Sequence, residues 1–574
     1  MPKGKPKGRS LAGGIAGAAV LIGGITVMAR VAGFGRTVVF SQTVTTSCLS
    51  QAYFTANQIP NIIFEIVAGG ALASMVVPVL AGPVGRGARD EVRRTAAAML
   101  TWIMLLLLPL SVLVALTAGP LMRQLVRGAA APCTRDDIID VGTRMLVVFA
   151  PQIVLYGLAV VLYGVLQAHR RFTGPAAAPL VSSIVVIGAY LAYLPVVGTT
   201  SPDDLAALPE TAELTLSVGT TLGVLALVCT AVAAARPLRL RVRPTLRFPP
   251  GVAGRVRRLA IAGLATVVAQ QIALLAVVVL TNRYGTKGAL ADYNYAWAIY
   301  LLPWAILAVP IATSAFPALS AHAADQEAAD GRAPGGETPG GQGSGRETPD
   351  GKAADPGAFD RVAAATTRAV VLVSGAGAAA LTAVALPVAQ FFAAGPQARP
   401  EVLARAVLAF APGLLGYGLV AHLGRALFAC GRGRAAATAI VLGWSGVLVA
   451  DVALVPAAPD DWVVAALGLG NTVGMTVAGL LLLTALARAR GRAALAGLAR
   501  ALLAAIFAAL AGGLTGYGAA RALDTDGRLP SLGVAVPAVL VASAAFLSIA
   551  YLIDKGDLRA VLGRRVARDN QHRE

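Results

Sequence analysis

The sequence predicts an all-α polytopic membrane protein: about fourteen transmembrane helices in two pseudo-symmetric six-helix lobes, plus two C-terminal helices. Three observations predict it. The 574 residues are 57% hydrophobic and 13% charged, with a mean hydropathy of +0.71, whereas soluble domains carry about 25% charged residues. Apolar runs of about 20 residues, each long enough to cross roughly 30 Å of hydrocarbon, recur from end to end. A weak internal repeat also relates the two halves of the chain.

The runs fall at residues 14–40, 52–82, 96–118, 145–167, 175–198, 213–235, 258–281, 289–319, 366–391, 403–429, 435–456, 462–486, 498–520 and 530–553. Loop charge supports this register. Loops after even-numbered runs hold Arg86, Arg89, Arg93 and Arg94, then Arg170 and Arg171, then Arg432 and Arg434. Loops of the other parity hold Asp203, Asp204 and Glu210, and later Asp460 and Asp461. Positive loops mark the cytoplasmic side, so a cell-membrane protein with both termini in the cytoplasm is expected. The basic start followed by an apolar run reads as a retained first span and not as a cleaved signal.

The formal net charge of +19 does not point to nucleic acid, because the basic residues lie in short loops and no aromatic-interleaved basic patch occurs. Arginine outnumbers lysine by 42 to 6, which reads as coding bias. Residues 121–144 are mixed in charge and are expected to include a short amphipathic helix on the outer surface. Residues 323–361, rich in Gly, Pro, Asp and Glu, read as a disordered cytoplasmic linker. The expected organisation is therefore an N-terminal lobe at 1–250, a second lobe at 251–322 and 362–490 interrupted by that linker, two further spans at 491–553, and a basic tail at 554–574.

The repeat rests on few identities. Tyr53 precedes Pro60 and Pro78, and about 240 residues later Tyr293 precedes Pro303 and Pro317. Leu166-Gln167-Ala168 with Arg170 and Arg171 is matched by Leu427-Phe428-Ala429 with Arg432 and Arg434. Parallel repeats are a common way to build two lobes around a midplane site.

Residues 27–78 carry the candidate site. Arg30, Arg36 and Glu65 sit in apolar surroundings, and ionisable groups at membrane depth are costly unless they face a partner or a wet cavity. Gly33, Gly35, Pro60, Gly69 and Gly70 lie among them as candidate breaks, tolerated where protein or water satisfies the freed backbone. Arg30 and Arg36 are about 120° apart on an ideal helix, so they share a face only if the Gly33–Gly35 stretch is kinked or unwound. Glu65 is the partner available to either arginine, and a structural pair and a substrate contact both remain open. Asp451, an acid inside a later apolar run, is a candidate ion- or proton-coupling group or a solvated residue near the outer end. Gln270, Gln271 and Asn471 read as interhelical hydrogen-bond partners, and Asp292, Tyr293 and Tyr295 as an interfacial belt. Cys48 and Cys133 both fall on the outer side, where a disulfide can persist; a pair and two unpaired residues are both compatible with that. No Cys/His cluster has metal-ligand spacing, and neither metal nor cofactor is expected.

Three stretches resemble the MviN/MurJ family, flippases of the lipid-linked peptidoglycan precursor lipid II. Arg30-Val31-Ala32-Gly33-Phe34-Gly35-Arg36 is similar to the family's R-x-x-G-F-x-R. Ala52-Tyr53-Phe54, Ile59-Pro60-Asn61, Gly70-Ala71 and Val77-Pro78 are similar to its A-F-F, L-P-N, E-G-A and V-P. Leu166-Gln167-Ala168 with Arg171-Phe172, Pro175 and Pro179 completes the set. The chain departs from that pattern at Gln51 and Thr37, where the family has Asp, at Phe64 and Glu65, where it has basic residues, and at Gly69, where it has an acid. The arginine expected ahead of Pro303 falls at Ala298.

The resemblance implies a transporter, not an enzyme, with a lipid-linked pyrophosphate oligosaccharide as substrate, membrane lipids around it and cell-wall synthesis proteins as candidate partners. Arg36, Arg30, Gln51, Asn61 and Glu65 become the candidate head-group contacts, since a guanidinium fork bonds two phosphate oxygens at once. Three other readings stand beside it: a MATE-like exporter of another substrate, a non-transporting scaffold paralogue, and a membrane glycosyltransferase. A MATE-like exporter would favour acids over arginines. A glycosyltransferase would place acids in an early outer loop, yet residues 41–50 carry no charge.

Overall fold

The computed structural model of the chain describes residues 11–67, 76–238, 243–248, 252–329, 355, 357–393, 399–523 and 527–556. The described residues are helical throughout and contain no strand. Backbone packing divides the chain into two compact units, Met1–Gln271 with Thr286–Ala291, and Ile272–Gly285 with Asp292–Glu574.

The first unit contains α1 (Leu11–Thr43), α2 (Cys48–Glu65), α3 (Val76–Gly85), α4 (Arg89–Leu116), α5 (Ala118–Leu125), α6 (Arg135–Phe149), α7 (Gln152–Ala168), α8 (Thr173–Val197) and α9 (Glu210–Ala235). The division then falls inside α10 (Val252–Tyr284). The second unit continues with α11 (Ala289–Pro303), α12 (Val309–Ala329), α13 (Ala358–Phe392), α14 (Pro400–Phe410), α15 (Gly413–Ala429), α16 (Gly433–Leu454), α17 (Val463–Arg490), α18 (Leu498–Ala522) and α19 (Arg528–Ile553). A π-helical stretch, Trp304–Ala308, joins α11 to α12.

Twelve helices are long and apolar enough to span a bilayer, and thirteen if the bent pair α14–α15 is one span. The count of fourteen is not reached among the described residues. The expected run at 52–82 corresponds to α2 and α3, and residues 68–75 between them lie outside the description; Gly69 and Gly70 are among these. Most of the 323–361 linker also lies outside it. Large apolar side chains such as Leu106, Leu116, Leu514 and Leu540 are exposed, as expected of helices solvated by lipid chains. Inside the second unit, α13 packs on α18 and α19 through small residues, including Ala379, Ala383, Ala508, Ala538 and Ala542, which let helix backbones approach closely.

Residues 121–144 hold most of α5, a short helix that buries Met122 and Leu125 and exposes Arg123 and Gln124, so the expected amphipathic helix is present. They also supply most of α6, which buries Ile138, Ile139, Val141 and Met145 and packs against α2 and α9. Thr134 caps α6 by accepting a hydrogen bond from the Asp137 N–H at 3.3 Å, and Asp136 and Asp137 complement the positive end of the helix dipole. The acidic part of the mixed charge is thus first-turn chemistry of α6.

The repeat runs deeper in the backbone than in the sequence identities. Phe149-Ala150-Pro151 separates α6 from α7, and Phe410-Ala411-Pro412, 261 residues later, separates α14 from α15. Proline removes a backbone donor and interrupts the helix at each place. One threonine repairs each break. Thr221 Oγ1 donates to the Val148 carbonyl (3.0 Å) and accepts from Gln152 Nε2 (2.9 Å). Thr472 Oγ1 donates to the Ala409 carbonyl (2.7 Å) and accepts from the Gly413 N–H (3.1 Å). The helix ends also match. The Arg171 N–H bonds the Leu166 carbonyl at 2.8 Å and the Arg432 N–H bonds the Leu427 carbonyl at 2.8 Å, across a left-handed Arg170 and Gly431.

Candidate functional site

The N-terminal end of α2 is fixed before the site begins. Ser47 and Ser50 form a reciprocal capping box, with Ser50 N–H to Ser47 Oγ at 3.2 Å and Ser47 N–H to Ser50 Oγ at 2.9 Å. Asp203 Oδ1 accepts from the Cys48 N–H (3.1 Å), while its Oδ2 accepts from Lys287 Nζ (2.8 Å). Cys48 and Cys133 are joined by a disulfide with Cα atoms 5.5 Å apart. Gln51 is buried, and its Oε1 accepts from the Leu290 N–H at 3.2 Å. That bond satisfies a donor at the start of α11. The Gln51 carbonyl oxygen thus serves as a cap to α11.

Below this end, α2 presents Tyr53, Asn57, Asn61 and Phe64 at helical spacing, which puts them on one face. Phe40 of α1 lies against Tyr53 and Tyr190, with ring centroids 4.9 and 5.0 Å apart. The Tyr53 hydroxyl is 2.9 Å from that of Tyr190 and 2.7 Å from Thr220 Oγ1. Thr220 Oγ1 donates to the Leu216 carbonyl at 2.8 Å, so Tyr53 donates to Thr220 and Tyr190 to Tyr53. The hydroxyls form a directed chain from α8 through α2 to α9.

Arg36 lies one turn before Phe40 on α1, half-buried, within electrostatic range of the phenols of Tyr53, Tyr156 and Tyr190. It forms no ion pair among the described residues. Neither does Glu65, which is exposed, nor Arg30, which is exposed on another face of α1. The expected pairing of Glu65 with an arginine is not made. α1 is helical through Gly33 and Gly35, so these glycines do not break the helix and do not bring the two arginines to one face. A Cβ at either would meet no atom within 4 Å, which leaves open space beside this turn. Pro60 lies within α2, which passes into a π turn at residues 66–67.

Asn61 is half-buried, and its Oδ1 accepts from the Tyr156 hydroxyl at a long 3.5 Å. Phe64 and Tyr156 rings meet with centroids 4.3 Å apart. Asn57 Oδ1 is buried without a partner. Asn57, Tyr156, Tyr190 and Thr220 were not identified from the sequence. The four-residue spacing of Tyr53, Asn57 and Asn61 was a legible signal; the other three depend on tertiary packing.

In the second unit Asp451 on α16 is fully buried, and neither carboxylate oxygen has a hydrogen-bond partner. It is not a solvated outer residue. Gly470 on α17 makes room for it, since a Cβ there would lie 1.8 Å from Asp451 Oδ1. Asn471, next to Gly470 in sequence, is buried with the Tyr300 hydroxyl of α11 as a side-chain hydrogen-bond neighbour, whereas Gln271 has both side-chain polar atoms unpartnered among the described residues. Asp292, Tyr293 and Tyr295 are buried and do not form an interfacial belt. Tyr293 packs with Trp297 and Phe410, at 6.3 and 5.8 Å between centroids. No group of three or more His, Cys, Asp and Glu that could hold a metal occurs among the described residues.

Comparison with known proteins adds three findings. The family model described as lipid II flippase MurJ matches residues 40–525. Among curated proteins, the chain is 28% identical over 289 residues to a probable lipid II flippase MurJ of Rhizobium tropici, covering 50% of this chain and 51% of that one. It is 27% identical over 303 residues to a protein of the same description from Rhizobium meliloti strain 1021, covering 52% and 54%. The matches thus span about half the length of these relatives. Among solved structures, the fold is similar to a lipid II flippase MurJ in an inward closed conformation (TM-score 0.67, 16% identity, 93% of this chain and 99% of that one). It is also similar to an inward-facing multidrug resistance MATE family transporter of the MOP superfamily (TM-score 0.61, 14% identity, 82% and 98%).

Proposed function

The chain belongs to the MurJ lipid II flippase family, and from that premise we propose that it moves a lipid-linked peptidoglycan precursor across the cytoplasmic membrane by alternating access. The observation that carries this reading is Arg36. It is a half-buried guanidinium on a membrane-spanning helix, without an ion-pair partner among the described residues, beside open space at Gly33 and Gly35. A cation kept unpaired at membrane depth is costly unless a ligand or water-filled cavity receives it, and its fork suits a diphosphate. Asn61 and Glu65 extend the contact along α2, while Arg30 lies on another face of α1 and has a separate role. Asp451 is the coupling group, because a buried carboxyl with two open oxygens accepts a cation or proton during the cycle. The loop charges orient both termini to the cytoplasm.

The test is complementation. A bacterium depleted of its own lipid II flippase is supplied with this chain, and lipid II exposed on the outer leaflet is measured. Rescue by the wild type and its loss in Arg36→Ala are expected. Losing one charge-assisted phosphate contact costs about 1.5–3 kcal/mol, or roughly ten- to hundredfold in substrate affinity. Absence of rescue by a well-expressed wild type overturns the reading in favour of a non-transporting role.

A further inference from the structure

We propose that the Phe64–Tyr156 ring pair is a saccharide platform next to Arg36, receiving the pyranose attached to the diphosphate of the lipid-linked substrate; this rests on the flippase reading above. The rings sit 4.3 Å apart at centroid and 35° from parallel, and both side chains are half-buried. Phe149, a core ring of the same unit, is by contrast fully buried. An aromatic face is negative, and pyranose C–H groups are weakly positive, so a sugar ring lies favourably on it.

The polar groups around the pair suit hydroxyls better than a second phosphate. Asn61 offers two N–H donors, and its oxygen is only loosely engaged by Tyr156 at 3.5 Å. Glu65 has no ion-pair partner among the described residues and lies within electrostatic range of Tyr156. Its carboxylate accepts hydroxyl donors and repels phosphate. Arg36, also in range of Tyr156, supplies the cation for the diphosphate. Cation, amide, carboxylate and aromatic face are thus gathered around Tyr156 from α1, α2 and α7.

The second unit repeats the pair. Tyr417 follows Pro412 by five residues, as Tyr156 follows Pro151, and the Trp304 ring meets it at 5.0 Å. Both are again half-buried, whereas Phe410, the counterpart of Phe149, is fully buried. The partner ring changes from Phe to Trp while the ring contact and its partial exposure recur.

The experiment uses the full chain in lipid nanodiscs and measures affinity for two probes, undecaprenyl diphosphate and lipid II. The wild type is expected to favour lipid II by about tenfold or more, a ratio the aromatic contact underlies. Phe64→Leu and Tyr156→Leu are expected to reduce that ratio at least about fivefold while leaving the sugar-free diphosphate within about twofold. Tyr156→Phe should keep the ratio, and Arg36→Ala should weaken both probes. The platform is overturned if the leucine variants keep the preference, if they lose both probes equally, or if the wild type shows no preference. A wild type that binds neither probe overturns the flippase reading as well.

Discussion

Gln51 shows how a side chain's role depends on what it touches. In the sequence it stands beside the aromatic start of α2 and reads as a head-group contact. In the fold it is 5% exposed and its carbonyl receives the Leu290 N–H. Replacing it with leucine keeps much of the volume and leaves that donor unsatisfied, which costs about 1–3 kcal/mol. Gln51→Leu should therefore lower the thermal midpoint of the purified protein while substrate affinity stays unchanged. A loss of affinity without loss of stability would assign it to the substrate site. Arg36 is the contrasting case: its neighbours are neutral phenols, so its charge has no assigned internal use.

At the scale of elements, the two broken spans α6–α7 and α14–α15 define the architecture. Each is interrupted at a Phe-Ala-Pro sequence, with a 46° bend at the second, and is mended by a threonine from α9 or α17. The second break also depends on a close helix approach. A Cβ on Gly416 of α15 would lie 2.3 Å from the Met475 carbonyl oxygen of α17 and 2.7 Å from the Thr476 nitrogen. Backbone atoms cannot rotate away, so Gly416→Ala must push the helices apart, and overpacking of this kind costs about 1–3 kcal/mol. The expected result is a lower thermal midpoint in detergent than that of Gly518→Ala, where a Cβ meets nothing within 4 Å and only the helix-propensity gain of about 1 kcal/mol remains. Equal behaviour of the two variants would show that α15 and α17 are not in this contact.

At the scale of the whole molecule, each unit ties its first broken helix to a neighbour with an ion pair. Arg144 donates to Glu213 at 2.8 and 2.6 Å, and Arg405 pairs with Asp461 while lying over the Trp462 ring. The pairs are equivalent in place but not in burial. The Glu213 side chain is 4% exposed and that of Asp461 40%. Removing Arg144 leaves a buried carboxylate unpaired, at a cost on the order of 3 kcal/mol, whereas removing Arg405 costs about 1 kcal/mol or less. The pairs share no partner, so the double variant should equal the sum of the singles within about 0.5 kcal/mol. A larger deviation in unfolding measurements would mean that the units do not behave independently.

Much of this was legible in the chain. Run length and apolar composition determined a multi-span helical protein, because the bilayer imposes a fixed thickness and demands internal backbone satisfaction. The glycine-arginine motif of α1 pointed to Arg36, because an unpaired cation is conspicuous in an apolar run. Tertiary structure alone decided whether each polar group was free or spent. Asp136 and Asp137 proved to be first-turn chemistry of α6, Gln51 proved to hold the Leu290 N–H, Asp451 proved buried, and Tyr156, Tyr190 and Thr220 were brought beside Tyr53 and Asn61 by packing that no local pattern announced. The physical reason is that helical periodicity is a short-range property, whereas hydrogen-bond partners here lie far apart along the chain: 95 residues between Tyr156 and Asn61, 167 between Tyr53 and Thr220, and 239 between Gln51 and Leu290.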